Sequence, residues 1–205
     1  MVQYKKGGDE ASEKKSLSDL GIIHLSGEVN DASAKEICDK ILEINMAAQA
    51  DQIQMIINSP GGSCAAGFAI VDLMEWSRIP VYTTGLGRIA SMGLLIFMAG
   101  EKGHRVLTPR TSVLSHRFSA MAWGSHSQLV AHRREEDLLH QRILDHYLAY
   151  STIKDEKELT EKLLRDVDTW LTPEEAVAHG LADKVEKIAR RGMPVATGED
   201  APRAE

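Results

Sequence analysis

The stretch "IQMIINSPGGSCAAGFAIVDLM", residues 53–74, joins an aliphatic run to a helical pattern through a proline and two glycines. The aliphatic run predicts a buried strand, and Pro60, Gly61 and Gly62 are expected to end it. After this turn, apolar residues recur at intervals of three and four, which predicts a helix with one apolar face. These residues are Ala66, Ala69, Ile70, Leu73 and Met74.

Similar units lie on both sides of this stretch. The strand candidate "GIIHL", residues 21–25, precedes a helical pattern within residues 30–50, and "PVYTT", residues 80–84, precedes an apolar helix at 90–98. Strands that alternate with helices predict right-handed crossovers and a largely parallel sheet. Such sheets carry their reactive groups at strand-to-helix turns. The fold class is therefore α/β.

The second half of the chain is less regular. Two short strand candidates, residues 104–108 and 111–116, flank a turn at Pro109, and a long helix is predicted over residues 127–150. The helix contains "HRREED", residues 132–137, which is polar through more than one turn. That segment either projects from the core to contact another subunit or forms a solvated face.

A short helix near the end of the chain has clear boundaries. Thr172 is predicted to cap it, Pro173 suits its first position, and Glu175 completes a capping box. Gly180 is predicted to end the helix. A short strand within "ADKVEKI", residues 182–188, is expected to follow.

Length and composition indicate one soluble domain. The chain has 205 residues, of which 43% are hydrophobic and 26% charged, and no apolar run approaches the ~18 residues of a membrane helix. We expect residues 17–188 to form the domain, between a flexible segment at 1–16 and a disordered tail at 189–205. The first residues lack the apolar region of a secretory signal, so a cytoplasmic location is expected.

The net charge and the cysteines exclude several kinds of partner. A formal net charge of -6 argues against generic binding to nucleic acid, and no membrane partner is expected. The two cysteines, Cys38 and Cys64, lie in apolar patterns without a metal-binding spacing. They are predicted to be small hydrophobic residues rather than a disulfide or metal ligands.

Three short motifs contain residues suited to catalysis: "SPGG" at 59–62, "ASMG" at 90–93 and "VLSH" at 113–116. Each alone has a purely structural interpretation, and Ser91 is either a buried core hydroxyl or a reactive one. Because the three motifs follow neighbouring strands, a serine, a base and backbone N–H donors can converge there. Acyl transfer needs this set, since a neutral imidazole must accept the serine proton and N–H groups must bind the oxyanion.

The chemistry also calls for a carboxylate that orients the imidazole. The chain has 30 acidic residues, and chemistry alone does not choose among several aspartates. The candidates are Asp72, Asp145, Asp166, Asp168 and Asp183.

From about residue 21 to 188 the sequence resembles the proteolytic subunit of the Clp family of self-compartmentalising serine peptidases (ClpP type). By this resemblance Ser91 matches the nucleophile, His116 the general base and Asp168 the orienting carboxylate, with Asp166 as the competing candidate. The oxyanion donors match the backbone N–H groups of Gly62 and Met92. The segments that carry the resemblance are "LSGEVND", "INSPGGS", "GRIASMG", "AGEKGHR", "VLSH" and "DTWLTPEEAVAHGLAD".

The resemblance implies the ClpP/crotonase-like αββ-superhelix fold, with the helix at 127–150 as a protruding handle. It implies a homo-oligomer of two stacked seven-membered rings that encloses the active sites. An AAA+ Clp ATPase is the implied partner, unfolded polypeptides or peptides are the substrates, and no cofactor or metal is needed.

Three departures from the family pattern bear on this interpretation. "SEKKSLSD", residues 12–19, offers little of the usual amino-terminal helix and axial loops, which concerns gating and ATPase engagement. "RFSAMAWG", residues 117–124, replaces a glycine-containing stretch on which a bound peptide would pair. Gln54 stands where relatives often carry a tyrosine of the ATPase docking pocket.

Other functions therefore stay open. The first is a divergent Clp-like peptidase that acts on short peptides without an ATPase. The second is a crotonase-like acyl-CoA enzyme, although such enzymes commonly use glutamates rather than an aligned serine and histidine. The third is a non-catalytic ring subunit, against which the presence of all three triad candidates counts.

Overall fold

The computed structural model describes residues 16–48 and 50–187. The flexible segment expected at 1–16, except for Ser16, and the tail expected at 189–205 lie outside these residues. A short 3₁₀ helix, Ser18–Leu20, opens the described part. The strands are β1 (Ile22–Val29), β2 (Ile53–Gly62), β3 (Val81–Ala90), β4 (Arg105–Leu107), β5 (Ser112–Ser115), β6 (Thr169–Leu171) and β7 (Lys184–Val185). The helices are α1 (Asp31–Ala47), α2 (Cys64–Trp76), α3 (Met92–Met98), α4 (His126–Tyr150), α5 (Glu156–Lys162) and α6 (Pro173–Ala178).

The seven strands of the described residues form one mixed sheet, in which five follow the order β1-β2-β3-β4-β7, while β5 and β6 lie off this path. All neighbours along this path are parallel, which confirms the prediction of a largely parallel sheet. β3 has two successive partners on this side: its first part pairs with β4, and its last part pairs with β5, from Arg88↔Ser112 to Ala90↔Leu114. β6 then pairs antiparallel with β5, with Ser115 opposite Thr169. This arrangement places the ends of β2, β3 and β5 and the start of β6 at one edge.

β2 and β3 are longer than predicted. The expectation that Pro60, Gly61 and Gly62 end the second strand is wrong, since β2 continues to Gly62. It continues because β1 pairs with its last residues. Pro60 has no N–H to donate to the sheet, and it lies next to a register shift in the pairing of β2 with β3, where proline is tolerated. In the same way β3 runs through its glycines to Ala90, so α3 begins at Met92 rather than at residue 90.

The predicted helix boundaries near the end of the chain are confirmed. Thr172 and Glu175 form a reciprocal capping box around Pro173, and Gly180 follows α6 with a φ of 72°. α5 and β6 had no predicted counterpart. The strand expected within 182–188 is the two-residue β7, and residue 188 lies outside the described residues.

The apolar core lies between the sheet and the helices. Alternate side chains of β2, Ile53, Met55 and Ile57, have no exposed surface, and all seven residues of α3 are buried. α4 is different, because its buried residues all lie between Ile143 and Tyr147, near its end. The polar segment at 132–137 is exposed apart from one half-buried position.

Both cysteines are free and half-buried against the core. Between residues 16 and 187, with residue 49 left aside, no helix is long and apolar enough to cross a membrane.

Candidate active site

The predicted serine and histidine follow the carboxyl ends of neighbouring parallel strands. Ser91 comes directly after β3 and His116 directly after β5, and the last matched pair of these strands is Ala90↔Leu114. The Ser91 N–H donates to the Leu114 carbonyl at 3.1 Å, so the pairing continues into the turn. The sheet therefore brings the two residues to the same edge.

Ser91 forms a strained turn between β3 and α3. Its φ of 55° and ψ of −127° are unusual for a residue with a side chain. Its carbonyl accepts from the N–H groups of Leu94 and Leu95, at 2.9 and 3.3 Å, but its hydroxyl makes no capping hydrogen bond to α3. The hydroxyl of this half-buried residue therefore does not cap α3.

Gly61 brings the end of β2 against this turn. A Cβ at Gly61 would stand 2.6 Å from the Ser91 Cβ and 2.8 Å from the Met92 nitrogen, so only glycine fits. Gly62 lies one residue further on, where a Cβ would stand 2.2 Å from the Val29 carbonyl oxygen. Met92 is the first residue of α3, a position whose N–H has no acceptor within its own helix. The two predicted oxyanion donors thus flank the Ser91–Gly61 contact.

The His116 side chain is 29% exposed, and its two ring nitrogens have different surroundings. Nδ1 faces a carboxylate oxygen of Asp168 at 3.7 Å, a distance suited to charge attraction but longer than a hydrogen bond. Nε2 is buried, and within the described chain it has no hydrogen-bond partner. Buried polar atoms without a hydrogen-bond partner are rare, which makes this nitrogen a candidate functional group.

The competing aspartates have different partners. Asp168 precedes β6, and since Ser115 pairs antiparallel with Thr169, the next position places it beside His116. Asp166 instead lies 3.0 Å from Nη1 of Arg117. Two adjacent residues after β5 therefore each face one of the two carboxylates.

The other three candidates for the orienting carboxylate lie away from His116. Asp72 and Asp145 line a cleft between α2 and α4, together with Glu75 and Arg142. Asp183 forms a two-point ion pair with Arg105.

Two residues near the site were not predicted from the sequence. Ser59 is completely buried, and its hydroxyl donates to the Gly27 carbonyl at 2.6 Å and accepts from the Gly61 N–H at 3.1 Å. Its position in "SPGG" was a usable signal, because a hydroxyl beside a glycine turn can bind the turn backbone. Arg117 had no such signal, since its partners come from a distant segment.

In residues 16–48 and 50–187 no group of three or more histidine, cysteine, aspartate or glutamate side chains is arranged to hold a metal ion.

The fold defines the chain as a mixed α/β protein with a hydroxyl, an imidazole and a carboxylate at one sheet edge. A family model described as Clp protease matches residues 6–189. The match covers most of the chain, so the chain belongs to the Clp protease family. It is accordingly a peptidase, a hydrolase of peptide bonds, and its α/β architecture is the ClpP fold.

Proposed function

We propose that this chain is the serine endopeptidase subunit of a Clp-type protease, with Ser91 as nucleophile, His116 as general base and Asp168 as orienting carboxylate. The observation that carries the proposal is the environment of His116. One ring nitrogen faces a carboxylate, and the other is buried without a partner among the described residues, at the strand end beside Ser91.

The proposed reaction uses each of these groups in turn. With Nδ1–H directed at Asp168, the lone pair of His116 Nε2 accepts the Ser91 proton while Oγ attacks the scissile carbonyl. The imidazolium then donates that proton to the leaving amine as the peptide C–N bond breaks, and an acyl-enzyme ester remains. Water hydrolyses the ester with His116 again as base, which restores the Ser91 hydroxyl.

The negative charge on the tetrahedral intermediate is proposed to be stabilised by the backbone N–H groups of Gly62 and Met92. Close packing of Gly61 on Ser91 supports this assignment, because it brings the end of β2 to the start of α3. Removing one such donor typically raises the barrier by about 3–4 kcal/mol. No metal or cofactor takes part in the proposed steps.

We further propose that the subunits assemble into two stacked seven-membered rings, with α4 as the handle between them, and that an AAA+ Clp ATPase supplies unfolded polypeptide. The exposed first half of α4 supports the handle assignment. One observation favours a peptidase that works without an ATPase. Gln54 Nε2 donates to Thr84 Oγ1 at 3.0 Å, so a bonded amide occupies a position where relatives often carry a tyrosine of the docking pocket.

The triad is tested with Ser91→Ala and with Ser112→Ala, an exposed serine of β5, as the matched control. We expect Ser91→Ala to abolish cleavage of a fluorogenic peptide and labelling by a fluorophosphonate probe, because the attacking oxygen is gone. The control is expected to keep both. Mass analysis of the labelled wild-type protein identifies the modified residue, which we expect to be Ser91.

Undiminished cleavage by Ser91→Ala, or a label on another residue, would refute the triad. Replacement of Asp168 by asparagine is expected to lower kcat at least about 100-fold, since the imidazole then loses the group that holds its tautomer.

A further inference from the structure

Arg117 connects the strand that carries His116 to the segment that carries Asp168. Its Nε donates to the Leu164 carbonyl at 2.7 Å, and its Nη1 lies 3.0 Å from Asp166 Oδ1. One guanidinium therefore binds two points of the segment between α5 and β6. The resemblance to known peptidases gives this residue no role.

The two ends of the segment are buried, whereas its middle is exposed. Leu164 is 2% exposed and Thr169 is 8% exposed, but the residues between them are exposed. The Asp168 side chain is itself 60% exposed and stands 3.7 Å from His116 Nδ1. Because no hydrogen bond holds this carboxylate on the imidazole, its position depends on the backbone that carries it.

The arginine side chain is suited to holding that backbone. Its planar guanidinium offers N–H donors in a rigid fork, so contacts at Nε and Nη1 fix direction as well as distance. The contact with Leu164 reaches a backbone carbonyl next to the core, and the contact with Asp166 reaches the exposed stretch two residues before Asp168.

We propose that Arg117 and Asp166 form a clamp that positions Asp168 against His116, which makes Arg117 a positioning residue for the reaction. This inference rests on the proposed function and adds a role for Asp166, the first aspartate of "RDVD" at residues 165–168. The Asp166 side chain is 89% exposed, and exposed ion pairs contribute little to folding stability. A small displacement of a catalytic group, in contrast, can slow a reaction by about 100-fold.

The first test is Arg117→Gln, with Arg165→Gln as the matched control. Arg165 lies in the same segment, is exposed, and has no ion pair within the described chain. We expect Arg117→Gln to lower kcat for a short peptide by about 10- to 100-fold, because Asp168 is then no longer held in position against His116. The control is expected to stay within about twofold of wild type, and no loss in Arg117→Gln overturns the clamp.

The second test asks whether Arg117 acts through Asp168. In an Asp168→Asn background, adding Arg117→Gln is expected to cause no further loss, since no carboxylate remains to be positioned. A structural role would give losses that multiply, and that result would overturn the proposal. The rate of fluorophosphonate labelling, followed over hours, measures the slow variants.

Asp166→Asn keeps the test decisive if Arg117→Gln unfolds, because Asp166 is too exposed for its replacement to disrupt the core. It is expected to lower kcat at least threefold in the wild-type background and not at all in the Asp168→Asn background. The same losses in both backgrounds would contradict the clamp. Loss of activity in Ser91→Ala alongside unaffected Arg117→Gln would refute the clamp alone, whereas an active Ser91→Ala would refute the proposed function.

Discussion

Arg105 is a charged residue placed almost entirely inside the protein, with 4% of its surface exposed. Its Nε and Nη2 donate to the two carboxylate oxygens of Asp183 at 3.0 and 2.7 Å, and its Nη1 donates to the Tyr150 carbonyl at 2.7 Å. Partial burial acts to raise the pKa of Asp183, but hydrogen bonds and charge from Arg105 hold that pKa below its usual value. The pair joins β4, the end of α4 and the start of β7.

Asp183→Asn is expected to lower the free energy of unfolding by about 3 kcal/mol or more, because it leaves a buried guanidinium without a counter-charge. Urea denaturation followed by circular dichroism measures the change. The matched control is Glu186→Gln, which removes an exposed ion pair with Lys184 and should cost less than about 1 kcal/mol. Equal effects of the two variants would contradict the importance of the buried pair.

The two aspartates of "RDVD" illustrate how far sequence alone leads at the residue scale. Asp166 and Asp168 have the same chemistry and lie two positions apart, so no local pattern separates them. Their partners depend on the antiparallel pairing of β6 with β5, which forms only when distant segments meet. Arg117 was missed for the same reason.

At the scale of elements, α4 is attached to two parts of the candidate site through its last turns. His146 Nε2 hydrogen-bonds the Leu95 carbonyl of α3 at 2.9 Å, and the Tyr147 hydroxyl hydrogen-bonds Ser115 Oγ of β5 at 2.7 Å. Both Ser115 and Tyr147 are almost completely buried. The end of α4 is therefore hydrogen-bonded to the helix that follows Ser91 and to the strand that precedes His116.

His146 should make folding stability depend on pH. Burial lowers its pKa to about 4, although the hydrogen bond to Leu95 acts in the opposite direction. The unfolded histidine has a pKa near 6.5, so between these values the unfolded chain binds more protons. The free energy of unfolding should thus fall as pH drops from about 7 to 4, by up to about 3 kcal/mol.

Urea midpoints measured across this range test the prediction. His146→Gln, which keeps an N–H donor but cannot titrate, should flatten the dependence, whereas His132→Gln on the exposed part of the same helix should not. An unchanged slope in His146→Gln would show that other groups cause the loss.

Elements with strong local signals were predictable, and those defined by neighbours were not. The capping box at Thr172 and the apolar stripe of α2 need only local chemistry, so α2 and α6 were found. β2 continues through Pro60 because β1 pairs with its last two residues, Gly61 and Gly62, and local turn signals do not reveal this pairing. β6 has three residues and exists only through its pairing with β5.

At the scale of the whole molecule, five large exposed apolar side chains lie on the first half of α4 and the loop before it. Trp123 is 82% exposed and Val130 is 59% exposed. Exposed apolar groups of this size commonly mark surfaces that other subunits cover. The remaining members of this surface are Met121, Leu129 and Leu138.

In the proposed assembly, Val130→Glu is expected to reduce the native mass from two stacked rings to one, because it would bury an unpaired charge at the proposed contact between handle helices. Native mass spectrometry measures the assembly, and degradation of an unfolded protein with and without a Clp ATPase measures its function. Met46→Glu, at an exposed apolar residue of α1, is the control and should keep the full mass. A full-sized Val130→Glu assembly, or a monomeric wild type, would contradict this arrangement.

The backbone at Ser91, with its φ of 55°, has a consequence for how such a protein evolves or is engineered. A residue held in such a conformation lowers folding stability by about 1–3 kcal/mol. A library screened for heat resistance alone will therefore enrich replacements that relax this turn, and by the proposed mechanism the most stable survivors will be inactive. Selection for catalytic activity is then needed to keep serine, rather than glycine, at position 91.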